Sequence, residues 1–427
     1  MSATTIVRVH GRRVFDSRGR PTVEVDIALA GGASGRAIAP AGASRGSHEA
    51  VDLRDGGARF GGMDVQVALD NVNRAIADAI AGLDACDQAG VDGALVTLDG
   101  TPQKSRLGGN ATVATSLAVA HAAADAADVP LWRHLAGDAM VSLPLPQIQV
   151  FGGGAHAGRR IDVQDLMVMP VGAWTYSDAL GIVADVYRAA GELMQEAGTL
   201  AGVADEGGYW PQFARNEDAL EMLVRAIERA NHKPGEDVAI ALDIAASEFG
   251  RNGRYTLARD GASLDRDALA ELLLRWVDRY PILSIEDPFA EDDPAAWIAF
   301  SRVAPARLQI VGDDFLVTSA ARVEAAARDR ACNAVLIKIN QAGTLTEAHA
   351  ALVAAGRAGF GAIVSARSGE TEDVSIAHLA VGWNAGQIKV GAFARGERMA
   401  KWNELLRIEE AGGATLPFAG TGALRHG

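Results

Sequence analysis

The chain has 427 residues, 49% hydrophobic and 22% charged, enough for two domains and at least one large core. A net charge of −14 argues against a general nucleic-acid-binding role, although an acidic protein can still hold an anion where cations or metals converge. The two cysteines, Cys86 and Cys332, give neither a metal-ligand spacing nor a disulfide framework. With no apolar signal-peptide core in MSATTIVRV and no apolar run of membrane-spanning length, the expected setting is the cytoplasm.

Taken in chain order, residues 22–29, TVEVDIAL, alternate polar and apolar, which predicts a half-buried, antiparallel strand. Leu69, Val72, Ile76, Ile80 and Leu83 recur at helical spacing, and a second, Ala-rich helix is predicted at 112–128. The reading is an N-terminal α+β capping domain over 1–138, with a mobile loop at 39–50 (APAGASRGSHEA). Beyond Pro144 the pattern changes. VAIALDI (238–244), ILSIED (282–287), LQIVGDD (308–314), AVLIKIN (334–340), GAIVSA (361–366) and QIKVG (387–391) are short apolar runs separated by amphipathic helices. Strand-then-helix units with continuously apolar strands predict a parallel sheet covered by helices; so many in succession favour a closed βα barrel over 139–427, with an open doubly wound sheet as the alternative.

These strands end in a series of polar residues: Asp243, Glu286, Asp313, Lys338, then Ala366 with Arg367 and Ser368, then Lys389. In a βα barrel the C-terminal strand ends share one rim, so the series would converge. Three carboxylates make a hard oxygen site suited to Mg²⁺, whereas each acid alone would equally serve to cap the next helix. The two lysines point to an anionic substrate or to a base of tuned pKa. Three loops add candidates: VADEGGYW (203–210) with Asp205 and Glu206, FGGGAHAGRR (151–160) with His156, Arg159 and Arg160, and 39–50 with Ser44 and Arg45. Alone, such Gly-rich loops are usually only turns. Together the set suits removal of a proton beside a carboxylate, with a metal stabilising the enediolate and an acid assisting loss of a β-hydroxyl.

FDSRGRPTVEV (15–25), ALDIAASEF (241–249), SIEDPFAEDD (284–293), IKINQAGTLTE (337–347), SGETED (368–373), NAGQIKVGAFARGERMAKWNELLRIEE (384–410) and PFAG (417–420) resemble stretches of the enolase family. The resemblance runs nearly end to end. It implies a small α+β domain followed by an enolase-type modified (β/α)8 barrel, dependence on Mg²⁺ with two ions per active site once substrate is bound, and a homodimer or higher homo-oligomer. It further implies Asp243, Glu286 and Asp313 as metal ligands, Lys338 as the base at C2, and Glu206 as the acid at the C3 hydroxyl. Lys389 would engage the substrate carboxylate. Ser44 and His156 would belong to closing loops, Ser44 on the second metal, and Arg367 and Ser368 would hold the phosphate.

The sequence also departs from the family pattern. Ala366 stands where the family has His, Asp165 where it has the Glu that partners the acid, Ala41 and Arg45 where it has Ser and Thr, and Gly152 and Arg159 where it has Asn. Three of these changes remove side-chain volume and two add a guanidinium. They predict a roomier, more cationic pocket for the group on the C2 oxygen, lined by Ala366 with Arg45 and Arg159. One branch of the family, the carboxyphosphonoenolpyruvate synthases of phosphonate-antibiotic pathways, is associated with a glycerate bearing a phosphonoformyl group. That branch is the expectation for function, with a small phosphorylated or phosphonylated glycerate as substrate. Two alternatives stand beside it: an ordinary enolase acting on 2-phosphoglycerate, and a non-catalytic enolase-like binding protein.

Overall fold

The structure, a computed structural model, describes residues 1–43 and 46–424. The predicted Ser44 and Arg45 lie outside the described residues. Three antiparallel strands open the chain: β1 (Ile6–Phe15), β2 (Pro21–Leu29) and β3 (Ser34–Ile38), paired in that order. The β2 alternation faces Val23, Val25 and Ile27 into the core. The Ala-rich helix runs Gly109–Ala126 and packs on β2 and β3, its small side chains allowing close approach. The helix predicted from Leu69 begins at Gln66 and passes through a π turn at Val72–Ile76. It ends at Ile80, short of Leu83, because Ala81 turns extended (ψ 130°) and Gly82 takes a left-handed φ of 86°.

The second part is a closed eight-stranded barrel. Its strands are β4 (Leu145–Gly152), β5 (Asp165–Met169), β6 (Ala239–Asp243), then, after a small sheet of β7 (Gly250–Arg251), β8 (Arg254–Leu257) and β9 (Ala262–Asp265), β10 (Ile282–Glu286), β11 (Gln309–Gly312), β12 (Ala334–Ile337), β13 (Gly361–Ser365) and β14 (Gly386–Ala392). The barrel closes where β14 pairs with β4. The six runs read as strands pair in parallel as expected, while β5, outside those runs, runs antiparallel to both β4 and β6. A loop over residues 153–164, holding only a short 3-10 turn, replaces the crossover helix that a parallel neighbour requires. Strands buried on both faces explain the unbroken apolar runs, since one side fills the barrel and the other meets the helices. Among the described residues no helix is long and apolar enough to cross a membrane.

Candidate active site

The strand ends bring the predicted polar residues together. Asp243 and Glu286 are the last residues of β6 and β10 and pair in register, while Asp313 and Lys338 directly follow β11 and β12. Lys389 departs from the expectation of a strand-end position. It lies within the seven residues of β14, its side chain buried. One cleft is lined by His156, Gln164, Asp165, Glu206, Asp243, Lys338, Ser365, Ala366, Arg367, Ser368, Lys389 and Val390. It leaves about 20 Å³ for the centre of a water-sized sphere, room for roughly one water.

The cleft is filled by its own charges. Lys389 Nζ donates to Asp243 Oδ2 at 2.8 Å and to Glu286 Oε2 at 2.9 Å, and lies 3.2 Å from Asp165 Oδ2. Lys338 Nζ donates to Asp313, whose other oxygen accepts from Gln341 at 2.8 Å. Burial pushes Glu286 well above the usual carboxylate range, and the neighbouring Asp243 charge pushes it further against the pull of Lys389. Among the described residues Glu286 Oε1 and Gln164 Oε1 are both buried without a hydrogen-bond partner, and Gln164 Nε2 donates to Asp243 at 3.1 Å. Crowded, desolvated oxygens with free lone pairs, already drawing an ammonium between them, form a donor set that fits a hard divalent cation.

Among the described residues, ligand atoms within 4.8 Å of one another group differently from the predicted trio of Asp243, Glu286 and Asp313: the groups are Asp287, Asp313 and Asp314, and His156, Asp165 and Glu206. Part of each group is already engaged within the protein. Both Asp287 oxygens already accept backbone N–H groups, from Asp313 at 2.8 Å and Asp314 at 2.9 Å, so that carboxylate has less to offer a cation than the Asp243–Glu286 pair. In the other group, burial opposes the charging of His156, but Glu206 and Asp165 outweigh it and raise the imidazole to about 9. In the metal-free protein the imidazole is thus held as a cation between two carboxylates, and a metal binding there would have to displace its proton.

His156 instead joins two carboxylates. Its Nδ1 lies 3.2 Å from Asp165 and its Nε2 3.7 Å from Glu206, with Ser368 Oγ at 3.1 Å from Nε2. Burial would raise Asp165, yet Lys389 and His156 hold it below the usual range. The Glu206 turn is tied down: Asp205 N–H donates to His156 O and Ala392 N–H donates to Glu206 O. At Gly391 (φ 116°) a Cβ would sit 2.9 Å from Glu206 O, so only glycine lets the turn lie there. A raised pKa makes the His156 contact a pH-dependent source of stability. Its contribution is complete below the ordinary value of 6.5 and fades as pH rises through about 9. Metal-free wild type is therefore expected to lose more thermal stability between pH 6 and pH 9.5 than the His156→Gln variant, measured by melting in a chelator.

The pocket predicted from small residues needs correction. Ala366 does line the cleft, beneath the turn that carries Arg367 and Ser368. Gly152 adds no space, because a Cβ there would meet Ala204 Cβ at 2.8 Å. Ala41 is buried in a backbone bridge with Gly369 and does not reach the cleft lining. Arg159 turns away as well. Its side chain is 68% exposed and its Nη2 bonds Glu248 at 2.7 Å, where a surface carboxylate offers pairing without desolvation.

Several residues of the site carried no signal in the sequence reading. Glu49 reaches from the N-terminal domain to Arg367 at 2.9 Å, and Asn340 bonds the same guanidinium nitrogen at 2.9 Å. Arg398 is fully buried and donates to the backbone oxygens of Arg367, Ser368 and Val390, which fixes the turn after β13. Gln149, Gln164 and Gln341 complete the polar lining of the barrel mouth.

A family model described as the N-terminal domain of enolase matches residues 6–135, and one described as the C-terminal TIM barrel domain of enolase matches residues 140–426. The chain belongs to the enolase family. The closed barrel is the architecture that the second description names. For an enolase-family protein the acidic, lysine-bridged cleft is the natural candidate for the reaction centre, since it lies at the C-terminal rim of the parallel strands.

Proposed function

We propose that the protein is a Mg²⁺-dependent dehydratase acting on a small glycerate whose C2 oxygen carries a phosphorus group. The observation that carries this reading is the pairing, in one buried cleft, of a lysine beside the acidic strand ends with a second acid held opposite by His156 and Asp165. Asp243, Glu286 and Asp313, with Gln164 beside them, would hold the metal. The chemistry that Mg²⁺ supplies when bound is positive charge beside the substrate carboxylate, which lowers the cost of the enediolate.

The residues of the chain do the rest. Lys389 pairs with the substrate carboxylate once its present partners are engaged elsewhere. Lys338 removes the C2 proton, the electron pair of that bond passes into the carboxylate as the enediolate, and it returns to form the C2–C3 double bond as the C3–O bond breaks. Glu206 gives a proton to the departing hydroxide, which leaves as water. Arg367, Ser368 and His156 hold the phosphorus group, with charge-assisted bonds supplying most of the orientation.

Within that reaction we take the phosphorus group to be an enlarged one, a phosphonoformyl, and the setting to be phosphonate biosynthesis. The support is Ala366, a methyl facing the cleft where an imidazole would otherwise reach the phosphoryl oxygens. Ordinary dehydration of 2-phosphoglycerate is the second reading. What favours it is that Gly152 and Ala41 open no additional room. A Mg²⁺-dependent ultraviolet assay separates the two. The expected result is turnover of the phosphonoformyl glycerate and little of 2-phosphoglycerate; fast turnover of 2-phosphoglycerate reverses the assignment. Ala366→His is expected to raise activity on 2-phosphoglycerate by about 10- to 100-fold, the worth of one charge-assisted hydrogen bond of ~1.5–3 kcal/mol.

A further inference from the structure

One buried amide links the two halves of the acid assembly. Gln149 lies on β4, buried, and points into the barrel mouth. Its Oε1 accepts the Gly208 N–H at 2.8 Å, and its Nε2 donates to Asp165 Oδ1. The orientation of the amide is fixed by this pairing, because Gly208 N–H can only donate and the carboxylate of Asp165 can only accept. Asp165 Oδ1 is also the oxygen nearest His156 Nδ1, at 3.2 Å. The contact with Gly208 is close: a Cβ on that residue would fall 2.4 Å from Gln149 Oε1. The turn carrying Glu206 is therefore pressed onto the same side chain that holds Asp165.

We propose that Gln149 is a positioning residue for the acid step. It ties Asp165 to the 206–208 turn, so that Glu206 stands at the distance from C3 that proton delivery requires. The inference rests on the dehydration reading above. The hydrogen bonds of Gln149 go to Gly208 and to the Asp165 oxygen that faces His156, not to Lys338, Asp313, Asp243 or Glu286, and the Asp165 oxygen nearer Lys389 is the other one, so Gln149 acts first on the acid side of the cleft. Removing it takes away the tie between Asp165 and the Glu206 turn, which keeps its backbone bonds to His156 and Ala392, and leaves an oxygen of Asp165 and the Gly208 N–H without that partner. C2 proton transfer to Lys338 continues, while C3–O cleavage slows.

The experiment compares two rates in wild type, Gln149→Leu and Gln149→Met, in Mg²⁺ and D₂O. One is exchange of the C2 hydrogen for deuterium, read by mass spectrometry; the other is product formation. The substrate is whichever of the two glycerates the wild type turns over. Either variant that melts as a folded protein is expected to keep the wild-type exchange rate and Mg²⁺ affinity by calorimetry. Its product formation is expected to fall by about tenfold or more, as a displaced catalytic group costs. Exchange and product formation falling together would overturn the proposal and make Gln149 a general support of the barrel mouth, as would two unchanged rates. If both variants fail to fold, that too marks Gln149 as such a support and overturns the proposal. Wild type that neither exchanges nor dehydrates either glycerate overturns the dehydration reading itself, and the positioning role with it.

Discussion

Replacing Lys338 with Ala is expected to lower dehydration roughly 10²–10⁴-fold, the range a positioned general base supplies. Lys338 is buried and its ammonium rests on Asp313. Burial lowers its pKa, but the Asp313 charge outweighs burial and raises it, so in this arrangement the side chain is a cation and not a base. It becomes a base only when Asp313 has another positive partner, which ties the base to occupation of the metal site. The variant is therefore expected to lose C2 hydrogen exchange along with product formation, and to keep or improve Mg²⁺ binding because a competitor for Asp313 is gone. Steady-state kinetics, C2 exchange and calorimetry check the three parts. Turnover kept within a factor of about two would remove Lys338 from the base role.

Glu286→Gln is the second large effect. Burial and the neighbouring Asp243 disfavour the charged form of Glu286, and among the described residues its Oε1 has no hydrogen-bond partner. In the metal-free protein a neutral amide is easier to bury, so the variant is expected to melt no lower than wild type. Its affinity for Mg²⁺ is expected to fall at least about 100-fold, the upper end of what loss of a mere supporting partner costs at a metal site. Activity falls with it and recovers in part at high Mg²⁺. The rise in melting temperature that Mg²⁺ gives the wild type should be absent in the variant, which thermal melts with and without the ion measure directly. Equal Mg²⁺ stabilisation of both proteins would take Glu286 out of the metal site.

Strand ends were the most legible part of the sequence. Asp243, Glu286, Asp313 and Lys338 each close a run of apolar residues, and only convergence at one rim gives such a series a purpose. Strand direction was not legible in the same way. DLMVM in β5 is as apolar as its parallel neighbours, so nothing in its composition marks it as antiparallel. The short sheet at 250–265 and the helix Gln88–Asp99 carry no long periodic run and also passed unread.

Side-chain volume proved the least readable feature. The sequence shows that Gly152 and Ala41 are small, but not that Ala204 and Gly369 already fill the space beside them. Arg159 had a charge that fitted the argument and a loop that carries it elsewhere, to Glu248. Neutral amides have no spacing signature, so Gln149 within β4 and Gln164 just before β5 were invisible. The Glu49–Arg367 pair joins positions 318 apart in the chain, a distance at which only the folded topology can bring charges together.

The central claim is that Asp243, Glu286 and Asp313 hold one cation at the barrel mouth. A crystal soaked in Mn²⁺ and measured at its absorption edge tests it most directly. The account predicts an anomalous peak coordinated by oxygens of all three, with Lys389 no longer bridging Asp243 and Glu286. A peak instead among Asp287, Asp313 and Asp314, or beside His156, Asp165 and Glu206, or no peak at all, would contradict it.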